Sequence, residues 1–497
     1  MIGVGFYLYM GAQMMKLEQK VNLTMLTDFY ELTMANGYFQ NNMKDKIAYF
    51  DMFFRSVPDN GGFAIMAGVE QVIEYLNNLR FDDKDIEYLR NKKAFSEEFL
   101  NYLKSFKFSC DVWAVPEGTL IFPNEPIVTV RGPVIEAQFI ETMILLTINH
   151  QSLIATKANR IVRAAQGRAV LEFGSRRAHG YDGAVYGARA AYIGGCSGTA
   201  CTMADRDFNI PAGGTMAHSW IQMFPNEMDA FRAYAKTYPD NCVLLVDTYN
   251  VLKSGVPNAI KVFNEEISEK GFRPAGIRID SGDITYLSKE ARKMLDEAGF
   301  SDCKIVASNS LDEYIIRDIL VQGAKVDVFG VGERMITSRS EPVFGGVYKL
   351  VATEEQDRIT PKIKLSENVG KITNPGFKHV WRLFDKTNKK AIADVITMEE
   401  ENIDESKPYE IFDPEHTWKR KNITNFYAKK LQIKIFSHGE CVYDSPDLNS
   451  IREYCREQVD TLWDEVLRFE NPHKYYVDLS QKLWGIKEKL LMRYSVR

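Results

Sequence analysis

The chain has 497 residues, of which 45% are hydrophobic and 26% charged, and this composition is typical of a soluble globular protein. At roughly 100 to 200 residues per domain, the length predicts two to four domains. The formal net charge of -5 supplies no overall basic field of the kind that holds nucleic acid or an anionic membrane, so we expect neither as a partner. The seven cysteines are scattered without a C-x-x-C pair, which favours reduced thiols and a cytoplasmic location.

The first fifteen residues carry no charge, yet they do not form a typical targeting segment. They lack a basic start and a small-residue cleavage site, and they are shorter than the roughly 20 apolar residues of a membrane span. We therefore interpret residues 1–22 as an N-terminal extension, with Met14 and Met15 as alternative start sites.

Residues 23–150 mix helical periodicity with short β-prone runs. Apolar spacing predicts a helix over 27–38. The runs 110–115, 119–122 and 127–131 are punctuated by proline and glycine and predict a small antiparallel sheet. Residues 134–166 then predict one or two long helices. We expect an N-terminal α/β sandwich domain and a connecting helix.

Residues 151–350 alternate short apolar runs with amphipathic segments, which is typical of repeated βα units. We predict a helix over 314–321, with Ser310 and Glu313 as its capping box. The pattern fits either a closed parallel α/β barrel or an open doubly wound sheet. The predicted strands are 170–173, 243–247, 275–280, 304–308 and 326–330.

Each predicted strand ends in polar residues or glycine, and this is the most informative feature of the chain. The carboxyl ends of parallel strands share one face, where α/β enzymes build their active sites. We therefore expect a site there. The strand ends are residues 172–177, 247–248, 280–283, 308–309 and 330–332.

Residues 351–497 have a different sequence pattern, which predicts charged hairpin-like segments at 379–384 and 391–398 and helices from about residue 448. We interpret this stretch as an appended C-terminal region that is partly packed on the sandwich.

Common nucleotide and hydrolase motifs are absent from the sequence, including the P-loop and G-x-G-x-x-G. Three glycine-rich stretches could instead offer backbone N–H groups to phosphate: 194–199, 213–215 and 330–332.

Two charged or titratable side chains have both a structural and a functional interpretation. Arg278 lies inside an apolar strand and needs either an anionic ligand or an ion pair with Asp280, two residues on. His218 follows a glycine-rich turn and is either a structural histidine or a nucleophile or general base.

Five motifs occur together in a fixed order: Leu26-Thr-Asp-Phe-Tyr30, Glu172-Phe-Gly-Ser-Arg-Arg-Ala-His179, Gly213-Gly-Thr-Met-Ala-His-Ser219, Gly276-Ile-Arg-Ile-Asp-Ser-Gly-Asp283 and Phe329-Gly-Val-Gly332. Between about residues 23 and 350, their identity and order closely resemble the nicotinate phosphoribosyltransferase family. The resemblance implies a type II phosphoribosyltransferase fold: an irregular α/β barrel joined to an open-faced α/β sandwich, generally as a homodimer.

The resemblance also implies roles for residues at the strand ends. Phe173 and Tyr30 would stack on the two faces of the pyridine ring, with Tyr30 supplied by either subunit. The nicotinate carboxylate and ribose phosphate groups would bind Arg278, Arg176 and Thr215. Asp280 would lie near the ribose or metal, and the 5-phosphate would be held by Ser308, Asn309, Gly330 and Gly332.

The reaction implied by the resemblance makes nicotinate mononucleotide, the first step of NAD salvage from nicotinate. The pyridine nitrogen displaces pyrophosphate from phosphoribosyl pyrophosphate, through an oxocarbenium-like transition state that carboxylates stabilise. Mg²⁺ would neutralise the pyrophosphate with few protein ligands, none of which the sequence identifies. ATP hydrolysis would be coupled, as in a ligase, through a transient phosphohistidine at His218.

Three alternatives compete with nicotinate transfer. A nicotinamide-specific relative should have a carboxylate beside Thr215, where this chain has Gly214. A quinolinate-specific relative would need a more basic pocket and no ATP-linked histidine motif. A catalytically inactive barrel scaffold should have lost motif residues. The one departure from the family is Glu333, where relatives can have a small hydroxyl residue, and its carboxylate would repel phosphate.

Overall fold

A computed structural model describes residues 22–414 and 416–495. These residues form two compact units. Unit 1 contains the chain up to Ser152 and again from Phe344 onward, and unit 2 is the intervening segment Leu153–Val343. The proposed N-terminal extension lies, apart from its last residue, outside the described residues.

The strands are numbered in chain order. They are β1 (Ile47–Phe53), β2 (Ala64–Ile65), β3 (Asp111–Ala114), β4 (Leu120–Ile121), β5 (Val128–Pro133), β6 (Ala169–Glu172), β7 (Gly198–Thr199), β8 (Val243–Leu245), β9 (Gly276–Ile279), β10 (Lys304–Ser308), β11 (Val328–Val331), β12 (Val347–Glu355), β13 (Arg358–Pro361), β14 (Lys378–Asp385), β15 (Ala391–Met398), β16 (Tyr409–Phe412), β17 (Arg420–Ile423), β18 (Phe426–Lys430), β19 (Ile433–Ser437), β20 (Glu440–Cys441) and β21 (Val477–Leu479).

The α-helices are numbered in the same way. They are α1 (Phe29–Gln40), α2 (Val69–Asn77), α3 (Asp83–Asn91), α4 (Glu97–Lys104), α5 (Val134–Phe139), α6 (Glu141–Ala164), α7 (Tyr181–Ile193), α8 (Thr202–Phe208), α9 (His218–Gln222), α10 (Glu227–Thr237), α11 (Val256–Val262), α12 (Ile284–Glu297), α13 (Glu313–Val321), α14 (Glu333–Ile336), α15 (Leu448–Asp460) and α16 (Gln481–Ser495). In the part of the chain that the structure describes, none of them has the length and apolarity needed to span a membrane.

Unit 1 is built on a seven-stranded antiparallel sheet in the order β13-β12-β1-β5-β3-β19-β20. Its strands come from both ends of the chain, because β12 pairs with β1 and β19 pairs with β3. Two of the three strands predicted near the N-terminus, β3 and β5, pair in this sheet, and C-terminal strands widen it. The third, β4, pairs instead with β2 in a separate two-stranded sheet. A second sheet, in the order β18-β14-β15-β21, contains the predicted C-terminal hairpin.

The second sheet of unit 1 contains a fully buried ion pair across that hairpin. Arg382 on β14 lies directly opposite Asp394 on β15, and its Nε and Nη2 atoms donate to the two carboxylate oxygens at 2.8 and 2.6 Å. The Tyr475 hydroxyl donates to the same carboxylate at 2.9 Å. A buried ion pair is tolerated when additional hydrogen bonds satisfy its polar atoms, as they do for Asp394.

Unit 2 is built on a six-stranded parallel sheet in the order β7-β6-β11-β10-β9-β8, so the predicted βα repeats are present. Every predicted strand appears, with boundaries that move by at most two residues. No backbone pairing joins the edge strands β7 and β8 in the described part of the chain.

The predicted capping box of helix α13 is wrong. The helix begins at Glu313, and Asp312 caps it, because its side chain accepts the backbone N–H groups of Tyr314 and Ile315. Glu313 instead turns into the interior of unit 2, where its carboxylate accepts Lys157 Nζ and Arg160 Nε at 2.9 and 2.8 Å. A residue engaged in a buried ion pair cannot reach back to cap its own helix.

Candidate active site at the strand ends

The parallel register of unit 2 brings the predicted site residues to one edge of the sheet. Ala307 of β10 lies opposite Ile279 of β9, and Ser308 lies opposite Gly330 of β11. Asp280, the residue after β9, therefore lies beside Ser308, and the Ser308 hydroxyl donates to its carboxylate. This contact joins two strand ends that were predicted separately.

Arg278 is the centre of the hydrogen-bond network. Its Nε donates to Ser308 Oγ at 2.8 Å and its Nη2 to Asp280 Oδ1 at 3.0 Å. Its Nη1 donates to Thr215 Oγ1 and to the Met216 carbonyl at 3.2 and 3.3 Å. Four of the five guanidinium N–H groups are therefore engaged, and the ion pair with Asp280 is present.

Asp280 is held in its charged form. Burial disfavours the carboxylate, but the hydrogen bond from Ser308 and the positive charge of Arg278 outweigh this effect, so the pKa of Asp280 is lowered. Its second oxygen, Oδ2, faces His218 Nε2 at 3.7 Å. Asp280 therefore presents a negative charge at the strand ends near neutral pH.

His218 is the first residue of helix α9, and its two ring nitrogens have different partners. Nδ1 lies 3.1 Å from Thr248 Oγ1, and Nε2 faces Asp280. The ring remains 40% exposed, so a ligand can reach it. The orienting carboxylate that the local sequence around His218 lacks is thus supplied from 62 residues further along the chain.

The sequence marks Asp247 and Thr248 as a polar strand end but predicts no role for either. Asp247 Oδ2 accepts the Asp280 backbone N–H at 3.0 Å and the Ser281 hydroxyl at 2.6 Å. Its other oxygen, Oδ1, is buried and has no hydrogen-bond partner among the described residues. An unsatisfied buried carboxylate oxygen is costly, which indicates that this side chain serves a ligand.

Phe173 lies against two glycines of β11 and the turn that follows it. A Cβ atom on Gly330 would lie 2.6 Å from Phe173 Cδ2, and one on Gly332 would lie 3.0 Å from the Phe173 carbonyl oxygen. The ring also lies beneath the Arg278 guanidinium, 5.8 Å from ring centroid to Cζ. Glycine at 330 is therefore needed for the ring to lie this close to the strand.

Glu172 holds the loop that carries Phe173 in place through buried hydrogen bonds. This fully buried carboxylate accepts the Gly174 backbone N–H and the Thr199 hydroxyl, the latter at 2.7 Å, and burial raises its pKa. Arg176, three residues after Phe173, is exposed and makes no ion pair or hydrogen bond within the described residues.

Asn309 has an unusual backbone. Its φ of 120° lies in a region that residues other than glycine rarely adopt, and it directly follows the buried Ser308. Backbone strain of this kind costs about 1–3 kcal/mol and concentrates at binding sites. The geometry at Asn309 is thus consistent with a functional strand end.

One of the three glycine-rich stretches has a structural explanation. Gly194 caps helix α7 and packs against the Ala155 carbonyl, and Gly198 packs against the Pro211 carbonyl, so close packing accounts for glycine in 194–199. Gly214, by contrast, has open space where a side chain would be. Glu333 is ion-paired with Arg339 at 3.2 Å, which places its carboxylate in a surface interaction.

Tyr30 belongs to unit 1, on helix α1. The residue is 45% exposed, and burial together with the nearby charge of Glu141 raises the Tyr30 pKa. Part of the side chain is therefore accessible to a ligand.

The acidic residues at the strand ends suit a weakly coordinated metal. Within the described residues, no group of three histidine, cysteine, aspartate or glutamate side chains could hold a metal. Mg²⁺ commonly takes one or two carboxylates and completes its shell with phosphates and water. The partnerless Oδ1 of Asp247 and the nearby Asp280 fit that limited requirement.

The fold matches solved structures over most of the chain. A nicotinate-nucleotide pyrophosphorylase from Pyrococcus furiosus aligns with a TM-score of 0.69 at 24% identity, covering 89% of this chain and 97% of that one. Human nicotinic acid phosphoribosyltransferase aligns with a TM-score of 0.83 at 28% identity, covering 93% and 99%. The type II phosphoribosyltransferase fold class is confirmed.

Sequence comparison narrows the class to one family. Residues 25–149, 169–371 and 377–487 match the N-terminal domain, family and C-terminal domain descriptions of nicotinate phosphoribosyltransferase. The nicotinate phosphoribosyltransferase of Bacillus subtilis (strain 168) is 45% identical over 466 residues, 94% of each chain. The chain belongs to the nicotinate phosphoribosyltransferase family. The roles assigned to individual residues stay predictions.

Gly330→Ala tests the packing of Phe173 in this site. The new Cβ must push the Phe173 ring away from the strand, and loss of an aromatic contact costs about 0.5–1.5 kcal/mol. We expect KM for the pyridine substrate to rise about 2- to 10-fold, with kcat less affected. Steady-state kinetics measure this. Gly485→Ala, on helix α16 with open space around it, is the control; an unchanged KM in Gly330→Ala contradicts the role of the glycine.

Proposed function

We propose that the protein transfers the phosphoribosyl group of phosphoribosyl pyrophosphate to nicotinate, giving nicotinate mononucleotide and pyrophosphate. The observation that carries the proposal is the network of Arg278, Asp280 and His218 at the strand ends of a chain from this family. We place the reaction in the cytoplasm, in keeping with seven scattered cysteines.

Arg278 is the group that we assign to the nicotinate carboxylate. Its contacts with Thr215 Oγ1 and the Met216 carbonyl are the longest of its four, at 3.2 and 3.3 Å. A carboxylate can replace them at Nη1 and use the remaining Nη2 proton, which gives the two-pronged geometry that guanidinium favours. Nε stays on Ser308 and holds the side chain in place. Arg176 adds a second positive charge to the carboxylate and phosphate groups.

Stacking completes the recognition of the pyridine. Phe173, which packs against Gly330, offers one aromatic face, and Tyr30 offers the other. Gly214 leaves no acceptor for a carboxamide N–H beside Thr215, which favours nicotinate over nicotinamide.

The chemistry is a displacement at C1 of the ribose. The bond from C1 to the pyrophosphate oxygen breaks, the pyridine nitrogen supplies the electron pair for the new bond, and pyrophosphate leaves with its electrons. Positive charge builds on the ribose ring, and the ionised carboxylate of Asp280 stabilises it. Asp247 and Asp280 would hold Mg²⁺, which would neutralise the charge of the pyrophosphate. Ser308, Asn309, Gly330 and Gly332 receive the 5-phosphate.

Purified protein tests the substrate assignment directly. It is incubated with phosphoribosyl pyrophosphate, Mg²⁺ and ATP, with either nicotinate or nicotinamide, and mononucleotide is measured. A charge-assisted hydrogen bond contributes roughly 1.5–3 kcal/mol, so we expect kcat/KM for nicotinate to exceed that for nicotinamide by about 10- to 100-fold. Equal or faster turnover of nicotinamide would falsify the assignment, and an Arg278→Ala variant should remove the preference.

ATP hydrolysis is coupled to the transfer, we infer, through phosphorylation of His218. The Thr248 hydroxyl and the Asp280 carboxylate hold the two ring nitrogens of His218. The unprotonated ring nitrogen attacks the γ-phosphorus of ATP and ADP leaves; water later cleaves the phosphorus–nitrogen bond and releases phosphate. The phosphoryl group brings negative charge beside Asp280, which changes the electrostatics of the site during each cycle.

His218→Ala separates coupling from transfer. We expect ATP hydrolysis and acid-labile phosphoprotein to fall at least roughly 10²-fold, while ATP-independent formation of mononucleotide persists. Thr248→Val, which removes the Nδ1 partner, should lower coupling less severely. Incorporation of γ-labelled phosphate measures both effects, and His438→Asn, at an exposed histidine of unit 1, is the control. Normal labelling of His218→Ala disproves the phosphohistidine.

The active protein is a homodimer in our proposal, with Tyr30 acting on the partner's site. Around Tyr30, unit 1 exposes several apolar side chains whose burial a second copy would favour thermodynamically. They are Leu23, Leu26, Phe29 and Met34.

Mixing inactive variants tests whether Tyr30 acts in trans. Subunits of Tyr30→Ala and Arg278→Ala are unfolded together, refolded and assayed. If the two residues of one site come from different subunits, half of the dimers carry one intact site, and activity returns to roughly a quarter of wild type. Phe173→Ala mixed with Arg278→Ala is the control, because both residues belong to unit 2 and mixing restores nothing. No recovery in the first mixture refutes the shared site.

A further inference from the structure

Unit 1 contains a cavity of about 1450 Å³ whose lining comes entirely from its own residues. It is bounded by strands β15, β16 and β21, by helix α16 and by the loops at 56–62, 122–126 and 471–476. Small-molecule sites usually occupy roughly 300–1000 Å³, so there is room for a ligand of nucleotide size together with ordered water. None of the strand-end residues of unit 2 takes part.

The charge of the cavity wall is uneven. Six lysine and arginine side chains face three aspartates, and most of the basic groups lie toward solvent. Lys421 is exposed and makes no ion pair or side-chain hydrogen bond in residues 22–414 and 416–495. A basic rim of this kind attracts a phosphate group. Its members are Lys419, Arg420, Lys421, Lys474 and Lys487.

Charged side chains also line the buried part of the cavity. Lys378 and Asp51 are 1% and 2% exposed and form an ion pair of 2.7 Å, and Lys378 Nζ also donates to the Gly376 carbonyl at 2.6 Å. Asp478 is 3% exposed, and its carboxylate has no side-chain hydrogen bond in the described part of the chain. A buried carboxyl group that lacks a side-chain hydrogen bond can accept an N–H group from a ligand.

The protonation of Asp478 is sensitive to what lies in the cavity. Burial and the nearby charge of Asp413 raise its pKa to about 7, and Lys474 opposes them. A donor from a ligand would favour the ionised form. Asp478 can therefore become a fully charged hydrogen-bond acceptor when a ligand donates an N–H group to it.

Aromatic rings line the same space. Trp484 packs edge-on against Phe412, with ring centroids 6.0 Å apart, and Phe122 stacks on Tyr475 with centroids 3.9 Å apart. Rings of this size stack well against a flat heterocycle. Aromatic surface, a buried acceptor and a basic rim thus occur in one cavity.

We propose that this cavity is a second ligand site, which takes a purine nucleoside monophosphate: the base lies among the aromatic rings and donates N–H to Asp478, and the phosphate binds the basic rim. A simple anion would leave the aromatic wall and the buried acceptor unused. An uncharged aromatic molecule would leave the rim unused. The assignment is independent of the transfer reaction, whose proposed residues in unit 2 do not line the cavity.

Photolabelling locates the ligand on the chain. The full-length protein is illuminated with 8-azido-AMP or 8-azido-GMP, and labelled tryptic peptides are identified by mass spectrometry. We expect saturable labelling of peptides from residues 409–423 or 471–491, competed by unlabelled AMP or GMP. The matching nucleoside, which lacks the phosphate, should need at least roughly tenfold more to compete, because a charge-assisted hydrogen bond is lost. Equal competition by the nucleoside overturns the proposal, as does labelling confined to unit 2.

Two variants connect the label to the assigned groups. Lys421→Glu reverses a rim charge, and Asp478→Leu removes the buried acceptor at similar size; each should weaken unit 1 labelling about tenfold and leave unit 2 labelling and nicotinate transfer unchanged. Lys489→Glu, an exposed lysine of helix α16 outside the cavity lining, is the matched control. Thermal unfolding confirms that the variants are folded. Unaltered labelling of both variants, or equal weakening by the control, overturns the assignment.

Discussion

The ion pair between Arg278 and Asp280 is the interaction on which the strand-end site depends. The two residues lie two positions apart at the end of β9, and Ser308 on the neighbouring strand binds both of them. Arg278 helps keep Asp280 charged, and Asp280 in turn faces His218. Of the two alternatives that the sequence left open for Arg278, the ion pair with Asp280 is present. The binding of a carboxylate at Nη1, whose two contacts are the longest, stays a prediction.

Many residues of this site can be predicted from the sequence because the functional residues of a parallel sheet lie at the carboxyl ends of its strands. Polar residues and glycine at the predicted strand ends are enough to indicate Asp280, Ser308 and Gly330. The partners of His218 are not visible, because Thr248 and Asp280 lie 30 and 62 residues away and only the strand register brings them together. Glycine is also ambiguous. Position 330 serves the site by admitting Phe173, whereas Gly194 serves packing, and both look alike in a sequence.

In the fold as well, features set by local sequence were predicted and features set by contacts between distant residues were not. Apolar periodicity located five of the six strands of unit 2 to within two residues, since each βα repeat is a local unit. The prediction that Glu313 takes part in a capping box is wrong because its carboxylate forms a buried ion pair with Lys157 and Arg160 instead of a local hydrogen bond. The pairing of β1 with β12 could not be predicted from local sequence pattern either, because nothing in either segment identifies the strand beside it.

The discontinuity of unit 1 has a consequence for how the chain folds during synthesis. Glu354 pairs with Ile47 although it follows 307 positions later, and β19 reaches β3 after a similar interval. All strands of unit 2 precede Phe344, so its parallel sheet can form while the ribosome is still making the rest of unit 1. Until then, β1 and β3 each have an unpaired edge, which is the usual starting point for aggregation. Premature termination after unit 2 thus leaves a chain with an intact catalytic sheet and two exposed strand edges.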